Sequence, residues 1–224
     1  MKRPRLGSLL DKIKAPRRSS PVDLLKGVPS GALIVLDIGG TEGAGMRPVG
    51  SFGKAFVVSV NLTHTMPTII QTDALALEGL PRPYCDGIFS SHMIEHIPYD
   101  QADQMFASWF EVLRPGGRLE IRCPDAEWTS KQFFLEGKIT GIMYTEILLG
   151  KRVPGAAFYE WCHQNLWWYD KLAATLSRAG FVDVARPQGE VKYLDWWPYD
   201  LSEASQLGYP IADLRILARK PLTT

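Results

Sequence analysis

The chain has 224 residues and a formal net charge of +1. That length fits one large domain, or a domain with an insertion, and the near-neutral balance excludes a molecule-wide surface for polyanions. No apolar run approaches the ~20 residues of a membrane span and none after the basic start resembles a signal peptide, so a soluble, cytoplasmic protein is expected.

Cys85, Cys123 and Cys162 lie far apart and match no zinc spacing. They are read as buried free thiols, and no metal is expected.

Residues 1–28 are basic, with Lys2, Arg3, Arg5, Lys12, Lys14, Arg17, Arg18 and Lys26 set against Asp11 and Asp23. Leu9, Leu10 and Ile13 can line a short helix, which Arg17-Arg18-Ser19-Ser20-Pro21 then breaks. The segment reads as a solvated arm, with contact to nucleic acid or another anionic surface as the alternative. Residues 29–224 remain as one domain.

Ala32 to Leu36 is an apolar run that ends in Asp37-Ile38-Gly39-Gly40-Thr41-Glu42-Gly43. Such a run reads as a buried parallel strand breaking into a tight turn. Gly45, Pro48, Gly50 and Gly53 follow, so any helix in this crossover is short or distorted. Ala55–Val60 is a second strand closing on Asn61, and Thr68–Thr72 a third closing on Asp73-Ala74. Asp86–Ser91 is the fourth.

From Tyr99-Asp100, Ala102, Met105, Phe106, Trp109, Phe110 and Leu113 recur at helical spacing, a face that packs on a sheet. Arg114-Pro115-Gly116-Gly117 stops that helix. Arg118–Cys123 is the fifth strand and ends at Pro124-Asp125. Residues 126–168 are crowded with aromatic side chains and read as a small helical cap over the carboxyl edge of the sheet, most of its rings packing under it. Tyr169–Ala179 is helical and stops at Gly180. Phe181–Ala185 and Asp213–Arg219 are the last strands, joined by a long connection through Trp196-Trp197-Pro198-Tyr199. Strands alternating with helices predict an α/β domain: one mainly parallel sheet of about seven strands, its last strand antiparallel, with helices on both faces.

Four segments in this order resemble the class I S-adenosylmethionine-dependent methyltransferases. They are Leu36-Asp37-Ile38-Gly39-Gly40-Thr41-Glu42-Gly43, Asp73-Ala74, the Ser90-Ser91-His92-Met93-Ile94-Glu95-His96 run and Leu113-Arg114-Pro115-Gly116-Gly117. The nearest resemblance is to small bacterial members with an SSH-x-x-EH segment, a PGG turn and a following Pro-Asp. Ala179-Gly180-Phe181 is similar to that family's ending. The likeness covers residues 32–125 and 165–220 and implies a Rossmann-like sheet with S-adenosylmethionine as cofactor. It further implies that Asp37, Gly39, Gly40, Thr41 and Gly43 pass the methionine part and that Asn61 lies by the ribose. Asp73 and Ala74 would sit by the adenine, with Ser91 and His92 bordering the reacting centre. Two positions depart from the pattern: the middle glycine is Thr41, and the ribose-binding acid is Asn61. An amide offers one carbonyl acceptor where a carboxylate offers two oxygens, so Asn61→Asp is expected to tighten cofactor binding.

Methyl transfer mainly needs a nucleophile aligned with an already activated methyl, with a base where the acceptor carries a proton. His92, Asp125 and His163 are the candidate catalytic residues, while His96 is read as structural. Asp125 can instead cap the following helix, and His163 can be a satisfied structural histidine. A small-molecule acceptor is the leading reading. A fold that binds without catalysing is the alternative, and a nucleic-acid methyltransferase a lesser one. No Asn-Pro-Pro-Tyr-like segment follows the fourth strand, which counts against nucleic acid. The oligomeric state is not legible.

Overall fold

Ile34–Ile38 forms the central strand β1 because its apolar residues are buried on both faces: Val35 and Leu36 are wholly inaccessible. In this computed structural model residues 20–63, 66–150, 162–187 and 213–222 are described. Residues 1–19 of the basic arm, 151–161 of the cap and the Trp196–Tyr199 connection lie outside them.

β1 is flanked by two parallel strands, β3 (Lys54–Val60) and β4 (Cys85–Ser91), with Ile38 opposite Val60 on one side and Ser90 on the other. Beyond β4 come β5 (Leu113–Pro124), β7 (Asp213–Arg219) and β6 (Val182–Ala185). A short strand β2 (Gly45–Pro48) closes the other side, giving a seven-stranded sheet of order β2-β3-β1-β4-β5-β7-β6. β7 runs antiparallel to both neighbours, as expected of the last strand.

β2 departs from the sequence expectation. Residues 45–48 do not attempt a helix but pair antiparallel with β3, Gly45 opposite Val57 and Pro48 opposite Lys54. Glycine and proline disfavour helix here, and Gly50–Phe52 makes a tight 3-10 turn that reverses the chain, closed at Gly53 with φ +67°. This local hairpin takes the outer side of β3. The expected strand Thr68–Thr72 is therefore reduced to a single bridge, Ile70 against Val60, just past the end of β2.

One face of the sheet carries the main core. Leu36, Val58, Ile88, Leu119, Ile121 and Ile216 lie beneath two helices, α2 (Ala102–Val112) and α5 (Tyr169–Arg178). α1 (Pro21–Leu24) adds Leu24 to the same core, so the end of the basic segment is anchored. α2 presents Met105, Phe106, Trp109 and Val112, all fully buried, and each such side chain is worth about 1.5–3 kcal/mol of transfer free energy. α5 ends at Gly180, whose φ of +98° permits the turn into β6.

On the other face Val35, Ala55 and Val57 pack against Val49, Phe52 and Phe89. Toward β5 and β7 that face becomes charged. Glu120 is fully buried and accepts from the Ser51 amide (2.5 Å), Arg122 (2.8 Å) and Arg215 (2.9 Å). Arg118 lies over the Phe52 ring and Arg122 over Phe89, at 4.8 and 5.4 Å from the centroids.

After β5, Asp125 caps α3 (Ala126–Phe134), its side chain accepting from the Trp128 amide at 3.0 Å. Thr140 caps α4 (Gly141–Leu149) in the same manner. Phe133 stacks on Tyr144 at 4.7 Å between these two helices, the packing role expected of most aromatics in this stretch.

Candidate functional site

The carboxyl ends of β3, β1 and β4 lie side by side, and the chain leaves β1 toward β3 on one side while β4 opens the other half. A crevice at such a reversal of strand order is where an open α/β sheet takes a ligand. The glycine loop sits there. Gly39 and Gly43 have φ of +94° and +78°, a region open to glycine and strained for other residues. A Cβ on Gly43 would lie 2.3 Å from Thr68 Oγ1, and one on Gly39 would meet Met93 at 3.1 Å. The loop from Gly39 to Glu42 is solvent-accessible along its outer side.

Behind the loop stands Arg47, delivered by β2. Its guanidinium donates to the Gly43 carbonyl (2.8 Å) and Ser59 Oγ (2.9 Å), and pairs with Asp37 (3.4 Å) and Glu42 (3.0 Å). Burial raises the Asp37 pKa, and Arg47 opposes that shift. Arg47 was not singled out from sequence, because its position follows from a strand that the sequence did not show.

Asn61 straps the loop. Its Nδ2 donates to the carbonyls of Gly39 (3.2 Å) and Gly40 (3.3 Å), while its Oδ1 accepts from Thr63 N and Oγ1. The expected gain from Asn61→Asp therefore reverses: a carboxylate in this place would face two carbonyl oxygens and lose both donors. Asp73 is exposed, with Oδ1 accepting from the Leu75 amide at 2.9 Å. The neighbouring Ala74 carbonyl is held by Trp109 Nε1 at 2.8 Å. Ser91 ends β4 at the same edge.

The residues after β4 turn sharply, with His92 at φ +50°. Its ring lies between two carboxylates, Nε2 at 3.1 Å from Asp213 and Nδ1 at 3.4 Å from Glu95. Burial disfavours the charged ring, but these two partners outweigh it and raise the pKa to about 10. Glu95 is buried too. Burial pushes its pKa up, and the His92 ring more than reverses the shift.

Residues 162–168 cross the ends of β4 and β5. Gln164 and Asn165 donate their amides to the Glu95 carbonyl (2.8 and 3.0 Å), Trp167 Nε1 reaches the Ile94 carbonyl, and Trp167 pairs with Asp125 in a parallel bridge. His163 is thereby set edge-on to His96, ring centroids 5.0 Å apart, and burial lowers its pKa. Of the three residues picked as catalytic, His92 and His163 gather around Glu95. Asp125 stands one strand away, buried, as a helix cap paired with Arg186 at 2.8 Å. Glu95 and Asp213 were not singled out. Asp213 lies 121 residues from His92, and no local pattern links them.

Residues 36–121 match the methyltransferase domain family. The domain has the class I methyltransferase fold. Among solved structures, the fold of this domain is shared with a SAM-dependent methyltransferase from Archaeoglobus fulgidus, at 17% identity and a TM-score of 0.50, over 85% of this chain and 87% of that one. It is also shared with the 1,6-didemethyltoxoflavin-N1-methyltransferase of Burkholderia thailandensis, at 18% identity and a TM-score of 0.50, over 96% and 81% of the two chains. No curated protein sequence matches the chain. In this fold the glycine loop follows β1 and the Ser91-His92 turn follows β4, while β2, a strand not expected from sequence, stands at the sheet edge. Among the described residues no helix is long and apolar enough to cross a membrane.

Proposed function

We propose that the chain is an S-adenosylmethionine-dependent methyltransferase acting on a small-molecule acceptor. The observation that carries this reading is the accessible, left-handed glycine loop at the strand-order reversal, with Asp73 exposed on one side and Ser91 on the other. These residues fit the cofactor: loop backbone for the methionine part, and a carboxylate with one oxygen beyond its turn bond for the adenine amino group. When bound, S-adenosylmethionine supplies a methyl group activated by its sulfonium. Asn61 and Arg47 hold the loop in shape from behind, and Ala74 is positioned by Trp109. The acceptor lies between the β4 end and residues 162–168, beside His92 and His163, which gather around Glu95. His92 and Asp125 act there as positioning residues, each already engaged by charged neighbours. The toxoflavin enzyme, whose structure holds 1,6-didemethyltoxoflavin and S-adenosylhomocysteine, supports a small acceptor.

Calorimetry with S-adenosylmethionine tests the cofactor. Asp73→Ala is expected to weaken binding by ~10–150-fold, the worth of a hydrogen bond to a charged acceptor, and Asn61→Asp to weaken rather than tighten it. Absence of heat with the wild type overturns the reading. Release of S-adenosylhomocysteine with a panel of small acceptors, followed by mass spectrometry, tests catalysis. Cofactor binding without any product would mark a protein that binds and does not transfer.

A further inference from the structure

Glu95, His96 and His163 each bring one ligand atom to within 4.8 Å of the others. Sequence spacing does not show this trio, because His163 arrives from the far end of the cap. Three further features set it apart from a chance cluster.

The first is the state of Glu95. Its side chain is 2% accessible. Among the described residues neither carboxylate oxygen meets a hydrogen-bond donor in good geometry, and the nearest cation, His92 Nδ1, stays at 3.4 Å. A buried carboxylate without donors is costly unless something positive meets it. The His92 contact is to Oε1 alone, and a carboxylate oxygen of Glu95 lies within 4.8 Å of a ring nitrogen of both His96 and His163.

The second is the orientation of the rings. His96 Nδ1 lies 3.3 Å from the Cys162 carbonyl, and the His163 ring stands edge-on to the His96 ring. A ring whose one nitrogen is engaged by a carbonyl turns the other nitrogen, with its lone pair, elsewhere. That outer support is how metal-binding histidines are held.

The third is that the backbone around the trio is fixed. The Glu95 carbonyl accepts two amides from residues 164 and 165, the His96 carbonyl accepts from Gln164 Nε2 at 3.0 Å, and the His163 amide donates to Leu149 at 3.0 Å.

We propose that Glu95, His96 and His163 form a binding site for a divalent transition-metal cation of the zinc type. Two imidazoles and one carboxylate are the ligand set for such an ion, and three protein ligands leave a coordination position open to water or to an oxygen or nitrogen ligand. The ligand atoms must close to roughly the 3.3 Å edge that a tetrahedron with ~2.0 Å bonds requires, a small movement of side chains. The bound ion would clip the 162–165 segment to the end of β4. This site is independent of the cofactor assignment, and its test needs neither cofactor nor acceptor.

The test uses the full chain, stripped with a chelator and titrated with zinc and, separately, cobalt(II). One equivalent of zinc is expected, with a thermal midpoint raised by ~5–10 °C at a hundredfold excess over Kd. Cobalt is expected to give visible ligand-field bands of nitrogen and oxygen coordination. His163→Ala and Glu95→Gln, checked for native circular dichroism, should lower zinc affinity by more than the ~10–100-fold that loss of an outer partner costs. A wild type that takes up neither ion overturns the proposal, as does binding unchanged in folded variants. A thiolate charge-transfer band with cobalt would place the ion on cysteine and overturn it equally. The wild-type titration decides even where the variants fail to fold.

Discussion

Trp109→Ala is expected to cost about 3–5 kcal/mol, the range for truncating a buried aromatic. Trp109 is wholly inaccessible, meets Phe106 edge-on at 5.4 Å, and donates Nε1 to the Ala74 carbonyl. Truncation opens a cavity under the sheet and orphans that carbonyl. Domains of this kind hold ~5–15 kcal/mol in total, so the variant should unfold at a much lower urea midpoint than the wild type. Trp109→Phe separates the two effects. It keeps most of the packing and loses the hydrogen bond, so stability should fall by about 1–3 kcal/mol while cofactor affinity also falls, because Ala74 adjoins Asp73. An unchanged urea midpoint for Trp109→Ala would show that α2 does not anchor the core as described.

Glu120→Gln is expected to destabilise by about 1–3 kcal/mol at neutral pH, the worth of hydrogen bonds to a buried charge. The figure stays below that of a fully buried pair because Arg122 and Arg215 are 34% and 38% accessible. The pH dependence has a definite sign. Burial pushes the Glu120 pKa up, but Arg215, Ser51 and Arg122 together bring it below the ordinary value of 4.5. The unfolded chain then binds the proton first, so this contribution is complete above pH 4.5 and lost as pH falls below it toward the folded pKa. Urea unfolding from pH 7 down into that window should show the wild type losing its advantage over Glu120→Gln. Parallel curves for the two proteins would remove Glu120 from the acid response.

The strands that are apolar on one or both faces were legible, and so was α2, because burial imposes the periods that the residues show. The ordering of motifs along the chain was legible for the same reason: the glycine loop and the β4 end each mark a strand terminus, and the Pro-Gly-Gly run follows the end of α2, although β5 already begins at Leu113. β2 was not. Its four residues, Gly-Met-Arg-Pro, carry neither period nor propensity, and only pairing with β3 makes them a strand. The site was legible where one loop forms it and opaque where distant segments meet. Gly39 and Gly43 declare themselves locally. The placement of Asp213 on His92, or of His163 beside His96, is a product of the sheet order and of residues 162–168 crossing two strands. Asn61 shows a third case: the sequence marks it as a departure from the resembled pattern, but only its rotamer reveals that the amide points back into the loop.

The hairpin at the start of the domain has a consequence for solubility. Among the described residues, both margins of the sheet are four-residue strands, β2 on one side and β6 on the other. β2 ends in Pro48, which has no amide to offer, and β6 pairs irregularly around Asp183, whose φ is +52°. Long, flat margins recruit strands from other molecules, and short or interrupted ones do not. Among the described residues, two copies meeting edge to edge at β2 or β6 would find few backbone bonds to share, which disfavours extension of the sheet through either strand.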